Sequence, residues 1–268
     1  MKSRARVNRA IHLEKPDRVP RDMVVLQSTL NTRRDEVERF LARFPMDIEL
    51  PHFTYGPSFE KGTRVNEGVY YDEWGCPFDV KQAGLKGEVK HAPLEAWADL
   101  ERIEPPFAFL EDADLSQVDA QYHETDKFIL AKTKVRPFER LQFLRGTENV
   151  MIDLALNTPE IDTLISMVHA FNLREIEMWV QTAVDAVFFQ DDWGAQDRML
   201  ISPKIWRERF KPIYEEYCTV IKSAGKLVFF HSDGHIMPII SDLIEIGVDA
   251  LNAQLFCMDI EEIGAQFR

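Results

Sequence analysis

Cysteine is scarce in this chain. Its 268 residues hold three, Cys76, Cys218 and Cys257. The number is odd and no two are spaced Cys-x-x-Cys, which argues against a disulfide framework and suits a reducing compartment. No apolar run reaches the roughly 18 residues that a membrane span needs. The basic N-terminus, Met1 to Pro20, has no apolar core of the kind a secretory signal carries. A cytoplasmic protein with no membrane partner is therefore expected. No long run of Lys and Arg occurs either. Acidic side chains number 45 against 32 basic ones, for a net charge of -13. A duplex-binding face must replace phosphate counterions with its own cations, so no nucleic-acid partner is expected. The partner class left is a small-molecule substrate, and not a highly anionic one unless a local basic pocket exists. Glycine (12) and proline (14) are too few for a low-complexity chain, and 45% of the residues are apolar. A chain of this length buries a core without staples. With no internal repeat and no linker, residues 1–268 read as one domain.

Periodicity organises the chain. A short helix over residues 4–13 is closed by the Lys15-Pro16-Asp17 turn. Val19 to Leu26 reads as a strand, Thr32 to Phe44 as a helix, and Ile48 to Phe53 as a second strand. Residues 60–92 alternate apolar and polar around glycines, the pattern of a β-hairpin carrying Tyr70, Tyr71, Trp74 and Cys76. That hairpin either covers a pocket as a lid or packs by its aromatics. Phe128 to Val135 is strand-like. Thr158 as N-cap and Pro159 at the first helical position open a helix with Ile161, Leu164, Ile165 and Val168 along one side. Asp185 to Gln190 is a buried strand. Ser202-Pro203 opens a helix with Trp206, Phe210, Tyr214 and Tyr217 on one face. Lys226 to Phe230 is a second buried strand, Ile236 to Ile244 a helix ended by Gly247, and Asp249 to Gln254 a third strand. Asp259 with Glu262 forms a capping box for a last helix. Strand and helix alternate, so the class is α/β with a parallel sheet. Roughly six strands are countable, where a closed (β/α)₈ barrel needs eight. An open sheet and a barrel missing its last two units are both consistent with that count.

In parallel α/β folds the reactive groups lie past the C-terminal ends of the strands. Asp191, Asp192, Trp193, Gly194 and Gln196 follow the first buried strand. His231, Ser232, Asp233 and Gly234 follow the second, and Asn252 and Gln254 close the third. His231 and Asp233, two apart, point the same way at strand geometry. An imidazole and a carboxylate so placed can share a metal ion or act as an acid–base pair. Asp233 can also cap the helix that begins near Ile236. Asp191 and Asp192 are adjacent, so only one should face a pocket, as ligand or base. Trp193, Gln196, Asn252 and Gln254 are the candidate substrate-contacting residues, with core packing the alternative for Trp193. Cys257 lies just beyond the third strand and could reach the same rim.

Six segments, in order and spacing, carry a family resemblance: Lys15-Pro16-Asp17-Arg18-Val19-Pro20, Asp72-Glu73-Trp74-Gly75, Asp192-Trp193-Gly194, Ile201-Ser202-Pro203, His231-Ser232-Asp233-Gly234 and Gly247-Val248-Asp249. Together they resemble the uroporphyrinogen decarboxylase superfamily, over nearly the whole chain. The resemblance implies a (β/α)₈ TIM-type barrel, here truncated, with its last two βα units beyond Arg268. It also implies a homodimer. Two chemistries occur in that superfamily. The porphyrinogen decarboxylases carry an Arg-Gln-Ala-Gly-Arg-Tyr-like segment after the first strand, and Arg21 to Asn31 does not match it. The corrinoid-linked methyltransferases, such as the methylcobalamin:coenzyme M enzymes, bind zinc through a His-x-Cys at the strand end that His231 and Asp233 occupy here. The replacement of sulfur by oxygen makes a harder site.

The resemblance therefore implies a metal-assisted methyltransferase, with His231 and Asp233 as zinc ligands, Asp191 or Asp192 as a further ligand or base, and a corrinoid carried on a partner protein. A metal-independent decarboxylase and a catalytically inactive barrel are the alternatives.

Overall fold

A helix between two buried strands returns the chain to the end where it started, so successive strands pair in parallel. The second half of the computed structural model follows this rule. The structure describes residues 1–64 and 66–267. The chain divides into two compact units, Met1–Ile129 with Gln142–Asn149, and Leu130–Leu141 with Val150–Arg268. Among the described residues no helix is long and apolar enough to cross a membrane.

The first unit is built around a buried carboxylate. Helix α1 (Ser3–Ile11) presents Arg6 to Asp47 and Asp17, both at 2.6 Å. Arg18 gives Asp47 two more bonds, at 2.7 and 2.9 Å. The Ser3 hydroxyl and the Arg21 backbone N–H add to the same carboxylate. This gives the Lys15–Pro20 segment its physical meaning: its turn brings Asp17 back to Arg6 and Arg18 to Asp47. The expected strand over Val19–Leu26 does not form. Val19, Val24 and Leu26 are 80, 73 and 64% exposed. The Arg21 N–H and C=O bond to the Asp47 side chain and main chain, so that stretch has no ladder to join. Helix α2 (Gln27–Arg43) follows and departs from helical geometry at Arg33. Strand β1 (Ile48–Glu49) is shorter than the expected Ile48–Phe53.

The expected hairpin is a three-stranded antiparallel sheet of β2 (Gly68–Tyr71), β3 (Pro77–Val80) and β4 (Glu88–Val89). Asp72 accepts the N–H groups of Trp74 and Cys76 at 3.0 and 2.8 Å, which fixes the Asp72–Gly75 turn. Tyr70 stacks on Phe78, and Tyr70, Trp74 and Cys76 are buried. The aromatics pack the first unit. Helices α3 (Ala108–Glu111) and α4 (Val118–Glu124) follow in the chain, ahead of the parallel strand that pairs with β1.

That sheet runs in the order β1, β5 (Phe128–Lys132), β6 (Ala186–Gln190), β7 (Leu227–Ser232) and β8 (Ala250–Ala253). Every pair is parallel. The connections are α5 (Pro137–Arg145), α6 (Thr147–Leu156) and α7 (Pro159–Val180), then α8 (Pro203–Arg209) with α9 (Lys211–Ser223), then α10 (Ile240–Glu245), and α11 (Ile260–Gln266) closes the series. Val187, Phe189, Val228 and Phe230 are fully buried, and Phe189 and Phe230 meet Tyr214 of α9. The alternate residues Phe188, Gln190, Phe229 and His231 are half-buried on the other face, as period-two alternation requires.

Three local expectations are modified. Trp206, Phe210, Tyr214 and Tyr217 are all fully buried, but on two helices that break at Phe210. Pro212 lacks an N–H, and its ring clashes with a continuous helix four residues back. Thr158 stands at the N-cap of α7, yet its hydroxyl bonds to Asp153 instead of to the helix. Asp259 caps α11 as expected, while Glu262 turns forward to Gln266 and leaves the box half made.

Candidate functional site

The site begins with strand register. Gln190 at the end of β6 lies opposite His231 on β7, and His231 lies opposite Asn252 on β8. The loops after β6 and β7 therefore leave the sheet side by side. They touch at two glycines. A Cβ on Gly194 would lie 2.3 Å from the His235 nitrogen, and one on Gly234 would lie 2.2 Å from the Gly194 carbonyl carbon. Gly234 also has φ +77°, a conformation that side chains disfavour. Gly194 N–H bonds to the Asp233 carbonyl, and Asp191 N–H to the His231 carbonyl. The buried Ser232 hydroxyl accepts the Trp193 N–H at 3.0 Å.

This stitching brings Asp192, His231 and Asp233 together. His231 Nε2 is 3.8 Å from Asp192 Oδ1 and 3.4 Å from Asp233 Oδ1. One ligand atom from each of the three lies within 4.8 Å of the others, and all three residues are half-buried. Asp192 also accepts the Asp233 N–H at 3.0 Å. Burial, then the charge of Glu139, raises the Asp192 carboxyl above its ordinary value. Asp233 caps no helix, since the 3₁₀ turn at Met237–Ile239 has no side-chain cap.

Asn252 orients the imidazole. His231 Nδ1 lies 2.9 Å from the Asn252 main-chain oxygen and 2.6 Å from its Oδ1. A main-chain carbonyl only accepts, so Nδ1 carries a proton and donates it. In the neutral ring, Nε2 then turns a lone pair toward two carboxylates. Three donor atoms thus converge on one place, where a bound cation would offset the carboxylate charge. One imidazole and two carboxylates make a borderline-to-hard donor set. Three protein ligands leave coordination positions open to a reactant. The residues fit a divalent cation.

The remaining sequence candidates are placed otherwise. Asp191 faces away from the cluster and is fully buried. It accepts the N–H groups of Phe138 and Glu139 at the start of α5, at 2.6 and 2.7 Å, and the Tyr214 hydroxyl at 2.6 Å. Burial and then Glu139 push its carboxyl well above the usual range, against those three donors. Trp193 is fully buried, stacked on Phe138 at 4.2 Å, with its indole N–H on Tyr214. Gln196 is exposed on the loop after Gly194. Gln254 accepts the Gly234 N–H at 3.1 Å and the Cys257 thiol at 3.5 Å, so it braces the turn. Lys132 ends β5 opposite Phe188, a position outside the strand ends of β6, β7 and β8. A charged residue closing an otherwise apolar strand was the available signal.

The family model for uroporphyrinogen decarboxylase (URO-D) matches residues 71–263. The chain belongs to the uroporphyrinogen decarboxylase family. The matched region includes the whole Asp192–His231–Asp233 cluster, Asn252 and Lys132. A solved structure, a methyltransferase from Methanosarcina mazei, is similar with a TM-score of 0.62 at 14% identity, over 94% of this chain and 75% of that one. At that identity the likeness concerns the fold, an α/β architecture with a parallel sheet. No curated protein matches this URO-D family member.

Proposed function

We propose that this URO-D family member is a metal-assisted methyltransferase that acts on a small molecule together with a corrinoid protein. The observation that carries the reading is the oriented imidazole: His231 Nδ1 held by Asn252, with Nε2 facing Asp192 and Asp233. The finer fold is taken as a (β/α)₈ barrel of TIM type, a reading supported by the parallel sheet with its reactive groups past the C-terminal strand ends. Asp192, His231 and Asp233 would hold the ion, which is zinc or a harder divalent cation. When bound, it supplies Lewis-acid activation at the atom that gives or accepts the methyl group. The chain's own residues do the positioning. Asn252 would keep the Nε2 lone pair turned toward a bound ion, as an outer partner of a histidine ligand does. The two carboxylates offset its charge. The Gly194–Gly234 contact fixes the distance between the two loops that carry them.

Elemental analysis of wild type and His231→Ala, with a methylcobalamin methyl-transfer assay on the same samples, tests this reading. About one divalent ion per chain, as in a mononuclear site, is expected in the wild type and not in the variant. Methyl transfer is lost with the ion. Absence of metal from both proteins overturns it. A metal-independent decarboxylase is the second reading. One observation favours it, the raised Asp192 carboxyl beside His231, a group suited to carrying a proton to or from a substrate. Release of carbon dioxide that survives chelation would single it out.

A further inference from the structure

The half-buried sheet face in the second unit leads to the cluster. Register and alternation place Lys132 of β5, Phe188 of β6, and Phe229 and His231 of β7 on it. The Lys132 ammonium lies 5.6 Å from the Phe188 ring centroid. The Phe188 ring is nearly parallel to the His231 imidazole, at 25° and 6.4 Å between centroids. Ammonium, phenyl ring and imidazole thus follow one another toward Asp192 and Asp233. Several other cations of this unit are matched by carboxylates: Lys211 by Asp242 and Glu245, Lys222 by Asp249, and Arg209 by Asp162. Lys132 has no such carboxylate among the described residues, in a chain with 45 acidic side chains. The Phe188 face is a weaker partner for the ammonium than a carboxylate would be.

We propose that Lys132 anchors the single acidic group of a small, flat, apolar molecule. Its body lies on Phe188 and its other end meets the Asp192–His231–Asp233 cluster. The inference rests on the cluster being the reacting end of the site. The 5.6 and 6.4 Å steps bound the span from ammonium to imidazole at about 12 Å, which suits one substituted ring.

The test is titration calorimetry with benzoate and with benzamide on wild type, Lys132→Met, Lys132→Gln and Lys132→Arg. Metal content and circular dichroism are measured on the same samples. Benzoate should bind the wild type and bind tenfold or more weakly to both neutral variants, the usual scale for losing a charged hydrogen bond. Lys132→Arg should retain it, and benzamide should not respond to the substitutions. A folded neutral variant that binds benzoate as the wild type does overturns the anchor. So does a wild type that binds no benzoate, or neutral variants that lose only stability. Lys132-dependent benzoate binding in a protein without metal supports the anchor while sinking the methyltransferase reading, so the two failures are distinguishable.

Discussion

His231 Nδ1 donates to the main-chain carbonyl of Asn252, one strand away, at 2.9 Å. The bond that sets the tautomer comes from backbone, so no substitution at Asn252 removes it. Only the second acceptor, Oδ1 at 2.6 Å, is lost in Asn252→Ala. Metal titration should show a loss of affinity of about tenfold, the low end for outer partners of a metal site. His231→Ala should abolish binding. Equal losses in the two variants would mean that the side chain, and not the carbonyl, orients the ring.

The adjacent aspartates separate by phenotype. Asp191→Ala leaves two N–H groups and the Tyr214 hydroxyl without an acceptor in a fully buried place. Chemical denaturation should show a loss of about 2–4 kcal/mol. Asp192→Asn should keep near wild-type stability and lose metal affinity. A stable Asp191→Ala protein with impaired metal binding would reverse the assignment.

Either loop glycine is intolerant of a methyl group. Gly194→Ala or Gly234→Ala puts a carbon within 2.3 Å of backbone atoms of the other loop. The loops must part, which displaces Asp192 from His231 and Asp233. Metal affinity should fall at least tenfold, because ligand geometry is lost directly. Gly225→Ala is the control: nothing lies within 4 Å of its added carbon, and its φ of +71° predicts a cost of about 1 kcal/mol without a metal effect.

Asp47 makes the first unit sensitive to acid. Burial works to raise its carboxyl, but the bonds from Arg18, Ser3, the Arg21 N–H and Arg6 outweigh burial and hold it at about 2 instead of 3.8. A carboxyl depressed in the folded state contributes stability above its unfolded value and loses it as pH falls through the folded one. The contribution should be complete above about pH 4 and fade toward pH 2. Asp47→Asn should cost about 2 kcal/mol at pH 7, less than for a fully buried pair because Arg18 reaches solvent. The variant's stability should then be flatter across that window in thermal melts. A wild-type slope in the variant would place the acid response elsewhere.

Much of the second half was legible in the chain itself. The runs ending at Gln190, Phe230 and Gln254 fall on β6, β7 and β8, because apolar period and turn residues are local signals. The same locality identified the strand ends that carry Asp192, His231 and Asp233. Val19–Leu26 shows the limit of such signals. Its composition suits a strand, but a strand exists only where a second backbone offers a ladder, and Asp47 takes the Arg21 groups instead.

The orientation of neighbouring groups was likewise beyond local pattern. Alternation says that Asp191 and Asp192 diverge, but not which of them meets His231. That is settled by the start of α5, more than 50 residues earlier in the chain, whose open N–H groups claim Asp191. The partner of His231 is fixed by register with β8, and the nearness of the two loops by a glycine contact across 40 residues of chain. Period and strand ends follow from residues close in sequence. The tautomer of His231 and its meeting with Asp192 and Asp233 arise from strand neighbours, which only the folded chain brings together.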